Sequence, residues 1–300
     1  MMHPSRAARR LAQGFVNEAW STAVFAARYP LGLTSAATTT GRPSGQATHD
    51  TPVLLVHGFA HNRSAWWGLE RRLRHAGFTS VHTINYVPVL DTVDGLARRM
   101  AARVEDICDL TGAARIHLVG HSLGGILARW YVQELGGHVL VDTAITLASP
   151  HGGSLLAALA PGSAAFDLVP GSPVMRRLAR RDVGAVGFAA STVDGGDADS
   201  AGHPRQANSV RWITYRGSMD VLVPPATAQL PGAVNVLVPG LGHMGMLLSP
   251  RVAASVTEQL EAAEGAGPAL TILHRRRHGR HRSATAFPAR GASATGRSAT

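Results

Sequence analysis

The stretch Pro52-Val53-Leu54-Leu55-Val56-His57-Gly58 is a continuous apolar run closed by glycine. Without polar alternation, such a run reads as a short strand covered on both faces, which demands helices above and below it. Similar strands are expected at Thr79–Tyr86, Arg115–Gly120, Val139–Ala148, Arg211–Tyr215 and Ala233–Val238. Between them lie helical patterns at Ser64–Ala76, Thr92–Leu110, Leu123–Leu135 and Met244–Ala263. In Thr92–Leu110 the apolar residues Val93, Leu96, Met100, Val104 and Ile107 recur every three or four positions, and Gly112 stops the pattern. Strands alternating with helices at this spacing define an α/β fold, a mostly parallel central sheet with helices on both faces. In such a sheet, ligands bind beyond the carboxyl ends of the strands.

Residues 51–263 form the expected domain. Before it, residues 1–50 divide into an amphipathic segment and a linker. Leu11, Phe15, Ala19, Val24, Phe25 and Tyr29 make an imperfect apolar side on a helix. That segment reads as packed on the main domain, with a membrane-surface helix or a weak export signal as alternatives. Residues 34–50, rich in Thr, Ser, Gly and Pro, read as the linker. Residues 151–205 break the strand–helix rhythm and read as a cap or lid insertion, and 264–300 as an Arg-rich disordered tail. The net charge of +10 resides at the two ends. Residues 1–50 carry a balance of +3, residues 274–300 carry +7, and residues 51–273 are neutral. A neutral middle offers no basic stripe, so no specific nucleic-acid partner is expected. The single cysteine, Cys108, excludes an internal disulfide framework.

The third strand runs directly into Gly120-His121-Ser122-Leu123-Gly124-Gly125. A serine between a buried strand and a helix, flanked by glycines, fits a sharp turn that presents its hydroxyl above the sheet. A hydroxyl becomes a useful nucleophile when a base takes its proton and an acid orients that base. Asp220 follows the fifth strand within Gly217-Ser218-Met219-Asp220, and His243 follows the sixth within Gly240-Leu241-Gly242-His243. The catalytic candidates are therefore Ser122, Asp220 and His243. His57 is a rival base, but it precedes the position at which an oxyanion donor is needed. Backbone N–H groups of Phe59 and Leu123 are the oxyanion candidates.

Together, Val56-His57-Gly58-Phe59, Gly120–Gly125, Gly217–Asp220 and Gly242-His243 resemble the α/β-hydrolase superfamily, in particular bacterial lipases and esterases. The resemblance spans roughly residues 51–263. Ser149-Pro150-His151-Gly152-Gly153 also resembles a stretch found after the next strand in lipases of triacylglycerols and phospholipids, and reads equally as a site wall or a structural turn. The resemblance implies the α/β-hydrolase fold and ester hydrolysis through an acyl-enzyme on Ser122, with no cofactor and no metal. Acyl transfer, thioester or amide hydrolysis with the same residues, and a non-catalytic binding role, are the alternatives.

Candidate substrate contacts are His57, Gly58, His121, His151 and Trp66, with Trp66 also readable as core. Leu155, Leu156, Leu159, Phe166, Leu168, Val169, Val174 and Met175 give the insertion much apolar surface beside Arg176, Arg177, Arg180 and Arg181. It reads either as a lid that meets lipid or as a cap packed on the core. The expected partners are an acyl-ester or lipid substrate and a peripheral membrane surface, with a cytoplasmic or membrane-peripheral location favoured over export. Asp194, Asp197 and Asp199 leave open the structural calcium ion that some lipases carry.

Overall fold

In the computed structural model the described residues are 6–33, 49–180 and 209–265. Six strands form one sheet: β1 (Val53–Val56), β2 (Val81–Ile84), β3 (Ile116–His121), β4 (Val141–Leu147), β5 (Arg211–Gly217) and β6 (Val234–Val238). Their order is β2-β1-β3-β4-β5-β6, and every pair is parallel. The chain leaves β1 to one side for β2 and returns on the other for β3. That reversal places a crevice beyond the ends of β1 and β3, where Val56 stands opposite Gly120.

The helices are α1 (Arg6–Arg28), α2 (Trp67–His75), α3 (Val93–Thr111), α4 (Leu123–Glu134), α5 (Ser163–Asp167), α6 (Pro173–Ala179), α7 (Gly245–Leu248) and α8 (Pro250–Gly265). In α3, Thr92 accepts a hydrogen bond from Gly95 N–H at 3.1 Å, and Gly112 closes the other end at φ 73°. Its apolar residues join one core beneath the sheet with Leu54, Leu118 and much of α4. A second core on the opposite face unites Val53, Leu55 and Val119 with α2 and α8. β1 and β3 are buried throughout, which explains their unalternated sequences.

Three expectations shift. The fourth strand begins at Val141, because Gly137–Val139 coils into a 3₁₀ turn. The segment from Ser64 starts as a 3₁₀ turn, Arg63–Trp66, before α2. The helix expected from Met244 to Ala263 is two helices, because Ser249 is extended ahead of Pro250. The tail from 266 onward, the linker 34–48 and the stretch 181–208, with Arg181, Asp194, Asp197 and Asp199, lie outside the described residues.

The described part of the insertion, residues 151–180, has two characters. Ala164, Leu168, Val174, Met175 and Leu178 belong to the core beneath α3 and α4. Buried Arg129 of α4 pins this half by donating to the His151 and Leu178 carbonyls at 3.0 and 2.8 Å. Leu155, Leu159 and Phe166 face outward and are largely exposed. No helix among the described residues is long and apolar enough to cross a membrane.

Helix α1 packs on the domain, and of the apolar residues the sequence suggested Phe25 is the one buried among those described. Gly14, Ser21 and Phe25 are buried, Ala19 and Tyr29 are exposed, and the side chains of Leu11 and Phe15 lie outside the described set. The 3₁₀ turn that follows, Tyr29–Gly32, is tied down by Asn62 and Asn85, which donate to the Tyr29 and Gly32 carbonyls at 2.8 and 2.7 Å.

Candidate active site

Ser122 occupies the sharp turn between β3 and α4 with φ 53° and ψ −119°, a conformation that side chains rarely adopt. Its neighbours explain why it is tolerated. A Cβ at Gly120 would sit 2.5 Å from Gly124 and Gly125 backbone atoms, and one at Gly124 would sit 2.2 Å from the Val56 carbonyl oxygen. A Cβ at Gly125 would meet Ser149 Oγ at 2.0 Å. The turn therefore closes only when all three are glycine, and the serine projects above the sheet at the start of a helix.

His243, just past β6, donates from Nδ1 to Asp220 Oδ2 at 2.9 Å. The second carboxylate oxygen of Asp220 accepts from Leu222 and Val223 N–H at 3.0 and 2.8 Å. The carboxylate is thus locked by its own loop and holds the His243 ring through Nδ1. Both residues are buried, and Ser122 and His243 line one cavity.

Three further imidazoles surround this pair. His121 donates from Nε2 to the His243 carbonyl at 3.1 Å, and their rings are 4.7 Å apart. Burial, reinforced by the nearby His243 and His61, holds His121 well below its ordinary pKa. It is therefore a neutral ring packed behind His243. His61 lies edge-on to Phe25 at 4.9 Å and its Nε2 faces Met244 Sδ at 3.3 Å. Burial, then repulsion from His57 and His243, lowers its pKa to about 4. His57 donates from Nδ1 to the Gly58 carbonyl at 2.8 Å and stacks on Tyr86, whose hydroxyl donates to the His57 carbonyl. Burial takes it to about 4 as well.

The cavity has a volume of about 700 Å³, within the range of sites for small molecules. Phe59, Ala157, Leu168 and Val223 make its walls largely apolar. The loop after β1 brings Phe59 to it, and Gly58 lies so close to the serine turn that a Cβ there would be 3.1 Å from Ser122 Cβ. Leu123 N–H stands at the first position of α4, where a helix leaves its amides unpaired. Of the five expected substrate contacts, His121 alone lines the cavity. His57 is turned away into its own hydrogen bonds, Gly58 serves as a close-approach point, and Trp66 is core at 1 % exposure. His151 is buried, faces Thr146 Oγ1 at 2.9 Å and has its pKa pushed far down by that burial. In Ser149-Pro150-His151 it is Pro150 that reaches the cavity.

One contribution escaped sequence reasoning. Thr22, Phe25, Ala26 and Tyr29, from α1 and the turn after it, form part of the cavity wall. The available signal was the spacing of Gly14, Glu18, Ser21 and Phe25 on one helical face, hidden because only Phe25 is large and apolar. Among the described residues no group of three or more acidic, His or Cys side chains is placed to hold a metal ion.

This parallel sheet, with a serine turn after β3 and an Asp–His pair after β5 and β6, is an α/β-hydrolase fold. The chain is similar to bacterial lipases and esterases of that superfamily. Residues 52–169 match the palmitoyl protein thioesterase family model. A triacylglycerol lipase of Burkholderia plantarii is 32% identical over 144 residues, covering 45% of this chain and 40% of that relative. A triacylglycerol lipase of Pseudarthrobacter phenanthrenivorans is 33% identical over 110 residues, 34% of each chain. The chain thus spans less than half the length of these relatives. Among solved structures, the mature lipase of Bacillus licheniformis superposes with a TM-score of 0.58 at 19% identity, over 74% of this chain and 96% of that one. A phospholipase of Legionella pneumophila gives 0.53 at 17% identity, over 74% and 62%.

Proposed function

We propose that the protein is a serine carboxylic-ester hydrolase that cleaves acyl esters with an extended apolar chain. The observation that carries this reading is that Ser122 and the Asp220-paired His243 open into one apolar cavity. His243 Nε2 takes the Ser122 proton as Oγ attacks the ester carbonyl. The Phe59 and Leu123 N–H groups hold the oxyanion. His243 then returns the proton to the leaving alcohol, and water, activated by the same imidazole, releases the acid. Asp220 keeps Nδ1 protonated and stabilises the imidazolium.

Similarity to triacylglycerol lipases supports an oxygen ester of a fatty acid as substrate. A thioester of the same acyl group is the second reading, favoured by the thioesterase model matched over 52–169. Both share the acyl half and differ in the leaving group. Contact with a lipid surface is part of the proposal, because Leu156 and Leu222 line the cavity and are also exposed. The test compares wild type and Ser122→Ala on p-nitrophenyl esters from acetate to palmitate, beside a palmitoyl thioester. Ester turnover rising with chain length and lost by at least about a thousandfold in Ser122→Ala supports the reading. Faster cleavage of the thioester moves the second reading ahead. No cleavage of either overturns both, and leaves acyl transfer, amide hydrolysis or binding.

A further inference from the structure

Gly14 and Glu18 of helix α1 lie more than 200 residues from the Asp220 and His243 loops in sequence, yet the helix touches both. Gly14 sits so close to Met219, the residue before Asp220, that a Cβ would be 2.9 Å from Met219 Cε. One turn on, Glu18 reaches the chain just beyond His243. Its Oε1 accepts from Met244 N–H at 2.6 Å and its Oε2 from Gly245 N–H at 3.1 Å. These are consecutive amides of the turn that starts α7, directly after the base. A Cβ at Gly242, the residue before His243, would lie 2.4 Å from Glu18 Oε2. The carboxylate therefore fills the place a side chain at 242 would occupy, and the sequence keeps that place open with glycine.

His243 is thus held by three groups. Asp220 fixes its ring, His121 fixes its carbonyl, and Glu18 fixes the next two amides. The third restraint comes from outside the sheet, from α1, and acts on the chain directly after His243. From these contacts we infer that Glu18 is a positioning residue for His243, making α1 an integral part of the active site. The inference rests on the hydrolase reading for its consequence in rate. Its geometric content stands apart from that reading.

The test uses the full chain and four variants: Glu18→Ala, Glu18→Gln, Gly242→Ala and the Glu18→Ala/Gly242→Ala double. With p-nitrophenyl butyrate, Glu18→Ala is expected to lower kcat by about ten- to a hundredfold, the range for a misplaced catalytic group. KM should change by less than about twofold, since this short ester needs little of the α1 wall. Glu18→Gln keeps one acceptor and should recover part of the loss. Gly242→Ala displaces the carboxylate and should lower kcat similarly, but add little in the double variant, because the oxygen it collides with is gone. Proton NMR provides a readout independent of turnover. The downfield resonance of the proton between His243 and Asp220, assigned by its loss in Asp220→Asn, should broaden or move upfield in Glu18→Ala. Variants that melt earlier but keep kcat per folded molecule, with an unchanged resonance, overturn the role. A wild type that cleaves no ester but shows the resonance change overturns the hydrolase reading and leaves the positioning role standing.

Discussion

Backbone strain at Ser122 is tolerable only because its surroundings over-determine it, and the three glycines do most of that. Gly124→Ala drives a methyl group into the Val56 carbonyl in the middle of a buried sheet, where neither partner can yield. It should cost about 2–3 kcal/mol, as overpacking does, lowering the urea midpoint and abolishing activity. Gly112→Ala is a useful contrast, because a Cβ there meets nothing and only φ 73° opposes it. It should cost about 1–2 kcal/mol and leave activity per folded molecule intact. The buried histidines set a pH dependence. His57 and His61 are held neutral to about pH 4, and His121 and His151 are likewise held well below the ordinary histidine value, all by burial first. Their folded pKa values lie below the unfolded value near 6.5, so the unfolded chain binds protons first as pH falls. Stability should be flat above about pH 7. It should then decline between about pH 6.5 and 4, by up to about 1.4 kcal/mol per pH unit for each such histidine, as denaturant titrations at stepped pH would show.

At the scale of elements, legibility followed burial chemistry. β1 and β3, buried on both faces, announced themselves as apolar runs, and α3 as a three-to-four-residue pattern with a cap at each end. Thr92→Ala should remove about 1 kcal/mol by deleting that cap, measurable as a lower melting temperature. Ser122, Asp220 and His243 were expected to lie near one another because each follows a strand, and the structure places Ser122 and His243 at one cavity with Asp220 bonded to His243. Substrate contacts were less legible, since a residue beside a motif in sequence can point away from the cavity, as His57 and Trp66 do. α1 was legible as a helix but not as a wall of the site. Its inward face is Gly14, Glu18, Ser21 and Phe25, and Gly14 and Glu18 reach the loops of Met219 and His243 through small size and charge. Hydrophobic patterning detects helices that dock by a broad apolar stripe, and this one docks by a single buried phenylalanine together with a carboxylate and a glycine.

At the scale of the whole molecule, the insertion after β4 divides its labour between packing and exposure. Its inner half belongs to the core and is clamped by Arg129, so wholesale lifting would break two hydrogen bonds from a buried guanidinium. Its outer half exposes Leu155 at 77%, Leu159 at 82% and Phe166 at 65%, and Leu156 between them descends into the cavity. Across the mouth, Leu222 is exposed too. Clustered apolar side chains at the rim of an apolar cavity suit a surface of lipid, which would exchange their hydration for hydrocarbon. The two halves should separate by mutation. Leu155→Glu with Leu159→Glu adds charge where no core packing is lost, so folding and turnover of a dispersed short ester should stay within about twofold. Turnover of the same acyl chemistry presented in emulsion or anionic vesicles should fall by about thirtyfold, from the loss of partitioning of two leucines at roughly 1 kcal/mol each. Leu156→Trp should do the reverse, filling the cavity so that palmitate esters are lost while butyrate esters survive. Equal loss on dispersed and aggregated substrate in the glutamate variant would mean that the outer leucines serve the cavity itself, and that the cap closes over the acyl chain rather than against a lipid surface.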